Sequence, residues 1–155
     1  MISPELLRRY PFFAFLNEEQ LRAVAMLSED VEIDANATVF DAGMPADALC
    51  LLTEGDLDLY YVVVDRDDPK LKKEFFLNEF NVGDIFGISA VIEPYVYSGT
   101  VRASTASGIV KVDGAGLRAL CEVDARLAAG LMKAVAHAAM ERLIETRVQL
   151  AAARA

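Results

Sequence analysis

Asp84, Ser89, Glu93 and His137 are the side chains in this sequence whose types could do acid, base or nucleophilic chemistry. A hydrolytic relay needs a nucleophile, a base and an orienting acid within hydrogen-bond reach, and the sole histidine, His137, is the one imidazole base on offer. It sits among Ala134, Ala136, Ala138 and Ala139, the surroundings of a packed or rim histidine on a helix. One histidine also excludes His-rich metal sites. Cys50 and Cys121 each lie in an apolar stretch without CxxC spacing, so both read as small core residues. None of these spacings forms a catalytic constellation, so the chain is read as a non-enzyme, with no catalytic and no metal-ligating residue.

The elements that must position any site follow from composition and pattern. At 155 residues the chain makes one domain, and 54% hydrophobic with 25% charged residues is the composition of a packed globular protein. The 24 acidic against 15 basic residues leave a net charge of −9, opposite in sign to a surface that holds phosphate backbones, so nucleic acid is not expected as a direct partner. No apolar run approaches the ~20 residues of a membrane span, and Met1 to Arg9 lacks the order of a secretory signal. No membrane association and a cytoplasmic location are the expectations.

Asn17 followed by Glu18, Glu19 and Gln20, then Leu21, Val24, Ala25 and Leu27, predicts a capped amphipathic helix over 18–28. From Val31 short runs rich in Val, Ile, Phe and Tyr, punctuated by Asp, Asn, Gly and Pro, predict antiparallel strands at 30–34, 37–41, 48–53, 56–64, 71–80, 98–104 and 107–112. The run Glu54-Gly55-Asp56 predicts a turn, and Asp65 to Lys70 an exposed hairpin tip. From Asp124 to about Ala153 no proline interrupts a helical pattern, and Gly130 is a weak breaker. Such a helix is about 45 Å long. Met132, Ala136, Ala139, Leu143, Thr146 and Leu150 form one row on it, and Leu127, Leu131, Val135 and Ala138 a second. Two buried faces are implied, one for the β domain and the other for a second copy of the helix, the alternative being a helix wrapped within one subunit.

A set of short motifs now occurs in a telling order: Tyr10-Pro11-Phe12-Phe13, Leu16 to Leu21, Gly43 after Val39-Phe40, Leu51-Leu52-Thr53-Glu54-Gly55, Val82-Gly83-Asp84-Ile85-Phe86-Gly87, and Ser98 to Ala103. Together they span nearly the whole chain, which resembles the cyclic nucleotide-binding domain of the catabolite activator and Fnr regulator family. The resemblance implies an α+β fold: an antiparallel β-roll, a jelly-roll-like double-stranded β-helix, with N-terminal helices over 1–29, the roll over 30–112 and C-terminal helices over 113–155. It also implies a homodimer through the long helix.

In that family the segment resembling Phe86 to Ile92 opens a short helix whose backbone N–H groups receive the cyclic phosphate. Gly87 fits the close approach. The resemblance then calls for Glu where this chain has Ile88 and for the phosphate-pairing Arg where it has Tyr97, while Ser98, Gly99, Thr100 and Val101 keep the pattern. Arg102 is displaced from position 97 by an odd number of residues, which puts its side chain on the opposite face of a strand. Loss of one partner of a desolvated charge pair costs about 2 to 5 kcal/mol. The candidate ligand-binding residues implied are Phe86, Gly87, Ile88, Ser89, Ala90, Tyr97, Ser98 and Gly99, with Ile88, Tyr95 and Tyr97 making the site more apolar and offering phenol groups to a ligand.

Three occupancies stay open: a filled or empty pocket, another small ligand, or a cyclic nucleotide. No cofactor is assigned. The chain ends at Ala155 without a segment resembling the family's DNA-binding domain, and it lacks the cysteine clusters of iron–sulfur relatives. The function expected is a stand-alone, dimeric regulatory or sensor module, with a modified or non-functional cyclic nucleotide pocket and room for a protein partner. The alternative is a genuine cAMP or cGMP receptor using non-standard contacts.

Overall fold

The computed structural model describes residues 1–155. Three short elements begin the chain: helix α1 (Pro4–Arg8), a 3₁₀ turn at Pro11–Phe13, and α2 (Glu18–Met26). A reciprocal capping box starts α2, the Gln20 N–H donating to Asn17 Oδ1 at 2.8 Å and the Asn17 N–H to Gln20 Oε1 at 3.0 Å. These bonds satisfy two donors that the first helical turn leaves without carbonyl partners.

Eight strands follow: β1 (Ser28–Ile33), β2 (Thr38–Phe40), β3 (Ala48–Glu54), β4 (Leu57–Val64), β5 (Lys72–Phe80), β6 (Ile85–Phe86), β7 (Thr100–Ala103) and β8 (Ser107–Asp113). They form two antiparallel four-stranded sheets, ordered β1-β8-β3-β6 and β2-β7-β4-β5. Helices α3 (Gly114–Val123) and α4 (Ala125–Arg154) close the chain. The antiparallel β-roll with N-terminal helices and a long C-terminal helix is the fold the motifs implied. Two details differ. The 18–28 helix stops at Met26, because Ser28 already pairs with Val112 of β8, and strand β6, two residues long, carries too little pattern to be read from sequence.

Inward residues of both sheets make one core: Leu49 and Leu51 of β3, Ile109 of β8, Leu57 of β4 and Val101 of β7 are fully buried. Alternation explains the faces, since Val101 and Ala103 point inward and Arg102 between them faces out. Strand β3 is the exception, buried from Ala48 to Leu52, because it is the inner strand between β8 and β6 and α3 packs against it.

The long helix is anchored at its start and along one face. Asp124 caps it by accepting the Leu127 N–H at 3.0 Å and also accepts the Gln20 amide of α2 at 3.0 Å. Leu127, Leu131 and Val135 are buried against the roll. Gly130 is tolerated in mid-helix because the Phe15 ring lies so close that any Cβ there would come within 3.0 Å of it. Further on, the Gln149 amide donates to the Leu77 carbonyl of β5. The row Met132, Ala136, Ala139, Leu143, Thr146 and Leu150 is exposed throughout.

Candidate ligand cavity

The end of β6 leads into Gly87, whose φ of 70° lies in the left-handed region. A Cβ there would stand 3.0 Å from the Ala48 carbonyl and 3.3 Å from the Tyr97 ring, so glycine meets both a conformational and a spatial demand. A 3₁₀ turn at Ile88–Val91 follows. The Gly87 N–H donates to no backbone or side-chain acceptor, and the same holds for the N–H groups of Ser98 and Gly99, where the chain re-enters β7.

These two segments border a cavity of about 130 Å³. Phe86, Gly87, Ile88, Ser89, Tyr97, Ser98 and Gly99 all line it, seven of the eight residues expected from sequence. Ala90 does not. It is fully buried within the turn, its N–H donating to the Gly87 carbonyl and its own carbonyl accepting Arg118 Nη1 of α3 at 2.6 Å.

Tyr97 occupies the place where the family resemblance called for arginine, and the expectation that its phenol serves a ligand is corrected by its partners. Its ring stacks on Phe40 with centroids 3.7 Å apart and planes 7° from parallel. Its hydroxyl donates to the Ala48 carbonyl at 2.7 Å and accepts the Ala48 N–H at 3.1 Å. Burial holds the phenol above its ordinary pKa range, so it stays neutral. Tyr97 is therefore a strut between β3 and the segment before β7. Tyr95, also expected to shape the site, lies elsewhere, beneath the Arg118 guanidinium at 4.3 Å.

Arg102 faces the outer surface, as strand alternation requires. It forms a bidentate pair with Glu74 at 3.0 and 3.1 Å, and that pair holds the Glu74 carboxyl below its usual range. The cavity's cation comes from a residue that sequence reasoning missed. Arg142 of α4 lines it together with Ala138, Leu59 and Phe80. Its guanidinium carbon lies 4.3 Å from the centre of the Phe80 ring, and Nη2 donates a long 3.4 Å bond to the Ile85 carbonyl. Nη1 is buried and has no partner. Desolvation lowers the Arg142 pKa from its usual value. No aspartate or glutamate lines the cavity.

The remaining groups considered for chemistry are dispersed. Asp84 Oδ2 accepts the Asn81 N–H at 2.8 Å, while the His137 side chain is exposed, 3.5 Å from Glu141 one turn on. Both border a separate groove near Phe12 and Lys133. Glu93 is exposed in the loop after the 3₁₀ turn. Burial pushes the Cys50 thiol up to about 12, which keeps it protonated and inert, and Cys121 is half-buried with its thiol also raised by burial.

Comparison with known proteins decides the family. The model of the cyclic nucleotide-binding domain matches residues 30–124, from β1 through α3. The chain belongs to that family. Among solved structures, a Geobacter metallireducens GS-15 protein named for cyclic nucleotide binding is 37% identical, with 92% of this chain and 99% of that one covered and a TM-score of 0.80. The N-terminal domain of a transcriptional regulator from Streptomyces coelicolor A3(2) is 26% identical over 88% of this chain and 93% of that one, with a TM-score of 0.66. A Rhodopseudomonas palustris protein named as a potassium channel protein is 27% identical over 120 residues, 77% of this chain. This cyclic nucleotide-binding domain spans only 27% of that relative's length. No helix of the domain is long and apolar enough to cross a membrane.

Proposed function

We propose that this cyclic nucleotide-binding domain is a dimeric cytoplasmic sensor or adaptor, whose modified cavity reports its occupancy through α4 to a second copy and to a protein partner. The observation that carries this reading is the double role of one helix. Ala138 and Arg142 form part of the cavity wall, while Met140, Leu143, Ile144 and Val148 leave an apolar surface exposed on the same segment. A ligand that moved Arg142 would move that surface.

The departures at Ile88 and Tyr97 support a cavity that does not hold cyclic nucleotides in the family's usual way. A Tyr97 hydroxyl that already donates to Ala48 has no donor left with which to replace an arginine. The second reading, a genuine cAMP or cGMP receptor, is favoured by the family itself and by the unpartnered N–H groups of Gly87, Ser98 and Gly99.

Sedimentation equilibrium of the wild type and of Leu143→Glu tests the dimer. The expected result is a dimer for the wild type and a folded monomer for the variant, because a carboxylate on an apolar interface is desolvated without a partner. A wild-type monomer at about 100 μM would remove the dimer from this reading; the dissociation constant of a stable helix-mediated dimer lies well below that. Saturable micromolar binding of cAMP or cGMP, lost on changing Gly87 or Ser98, would establish the receptor reading.

A further inference from the structure

We propose that the cavity takes a small oxyanion on a compact apolar body, with Arg142 of the long helix as its counter-charge. The inference deepens the sensor reading and rests on it. Three observations converge. First, Arg142 Nη1 is buried without a partner, and every ion pair in the molecule leaves this guanidinium out. Glu141, Glu145 and Asp84 surround it, none within the 4.0 Å of an ion pair. A guanidinium nitrogen buried without an acceptor is costly, and a native fold that keeps one is expected to gain function from it.

Second, several N–H and O–H donors bordering the cavity are free. The N–H groups of Gly87, Ser98 and Gly99 have no acceptor, and neither Ser89 nor Ser98 spends its hydroxyl on another protein group. A chain of net charge −9 thus presents a pocket bearing one cation and no carboxylate. Such a pocket selects an acceptor-rich anion and disfavours a cation.

Third, size and lining limit the body that carries the charge. Pockets for drug-sized ligands run to roughly 300–1,000 Å³, and an apolar cavity near 150 Å³ holds one benzene ring. At about 130 Å³, walled by Phe40, Phe80, Phe86 and Ile88, this cavity suits a single ring or a branched chain of similar bulk. A carboxylate and a phosphate ester offer the same oxyanion to Arg142, and separate probes distinguish them.

Calorimetric titration of the full chain with benzoate, phenyl phosphate, inorganic phosphate, cAMP and the neutral isostere benzyl alcohol tests the inference, on the wild type, Arg142→Met and Arg142→Lys. Benzoate or phenyl phosphate is expected to bind the wild type at least about 30-fold more tightly than Arg142→Met, the usual consequence of leaving one partner of a desolvated pair alone. Benzyl alcohol should bind more weakly than its anionic counterparts, and Arg142→Lys should retain part of the affinity. Circular dichroism of each variant checks folding, and the lysine variant carries the test if the methionine variant fails to fold. Equal binding of benzyl alcohol and benzoate, or binding indifferent to Arg142, overturns the oxyanion inference and leaves the sensor reading standing. Tight, Arg142-dependent binding of cAMP alone overturns the small-ligand inference and establishes the receptor reading. No saturable binding by any probe overturns the inference and the ligand-sensing part of the function together.

Discussion

Replacement of Tyr97 by phenylalanine isolates the strut that occupies the family's arginine position. The variant keeps the ring stacked on Phe40 at 3.7 Å and removes only the hydroxyl, which exchanges hydrogen bonds with both the N–H and the carbonyl of Ala48. Both backbone groups lie at the buried start of β3 beside Gly87, and without the hydroxyl the Ala48 carbonyl keeps only a 3.9 Å contact from the Cys50 thiol. Leaving buried polar groups unsatisfied costs about 1 to 3 kcal/mol. For a domain of this size that lowers the midpoint of thermal unfolding by roughly 2 to 12 °C. Urea unfolding followed by circular dichroism should show a lower midpoint with an unchanged slope, since the surface exposed on unfolding stays the same. The alkaline behaviour adds a second readout. Burial raises the Tyr97 pKa in the folded state, so its contribution is complete below the ordinary phenol value near 10 and is lost as pH rises beyond it. The phenylalanine variant should therefore lose less stability than the wild type above about pH 10. A variant within about 0.5 kcal/mol of the wild type, with the same alkaline profile, would refute the assignment of Tyr97 as a strut.

Arg142→Met should leave the ligand-free domain as stable as the wild type or raise its stability by about 1 to 3 kcal/mol, because it removes a buried charge whose Nη1 has no partner; denaturant titration measures this, and a comparable loss would mean that the guanidinium holds the fold together. Thiol labelling should modify the half-buried Cys121 well before Cys50, whose thiol burial pushes up to about 12. Because that folded value lies above the ordinary thiol value of 9.0, the Cys50 contribution to stability is present below pH 9 and is lost as pH rises through about 12; Cys50→Ala should flatten this part of the alkaline profile, and unchanged alkaline sensitivity would count against it.

The roll was legible where pleating left a two-residue rhythm. Leu57 faces the core with Asp58 beside it, and Val101 and Ala103 flank outward Arg102, so strands, faces and the exclusion of Arg102 from the cavity all follow from alternation. Strand β6 was hidden by its two-residue length, and the pattern of β5 is blurred by a register shift opposite Leu59 and Tyr60 and by the exposure of both Phe75 and Phe76 where the β4–β5 ribbon runs out past the core. Most of the cavity's β-roll lining was legible from the motifs around Gly87 and Ser98, but the roles of Tyr95, Tyr97 and Ala90 were not, because they depend on partners in distant elements: Arg118, Ala48 and Phe40. Arg142 was missed for a different reason. A lone arginine on a helix reads as solvated, yet the inward row of buried Leu127, Leu131 and Val135 and half-buried Ala138 reaches position 142 at its next step of four. Extending that row by one step would have placed the guanidinium in the cavity.

Ile88 and Tyr97 stand where the family's ligand contacts are expected, and the proposed function requires that they have moved the cavity away from the family's ligand. A thermal unfolding scan of the wild-type protein with and without cAMP or cGMP at about 1 mM tests this most directly. A ligand at 100 times its dissociation constant adds about 2.7 kcal/mol and would raise the midpoint by several degrees. No rise is expected with either nucleotide. A clear rise would contradict the proposed function, showing that the cavity accommodates the family's ligand despite Ile88 and Tyr97.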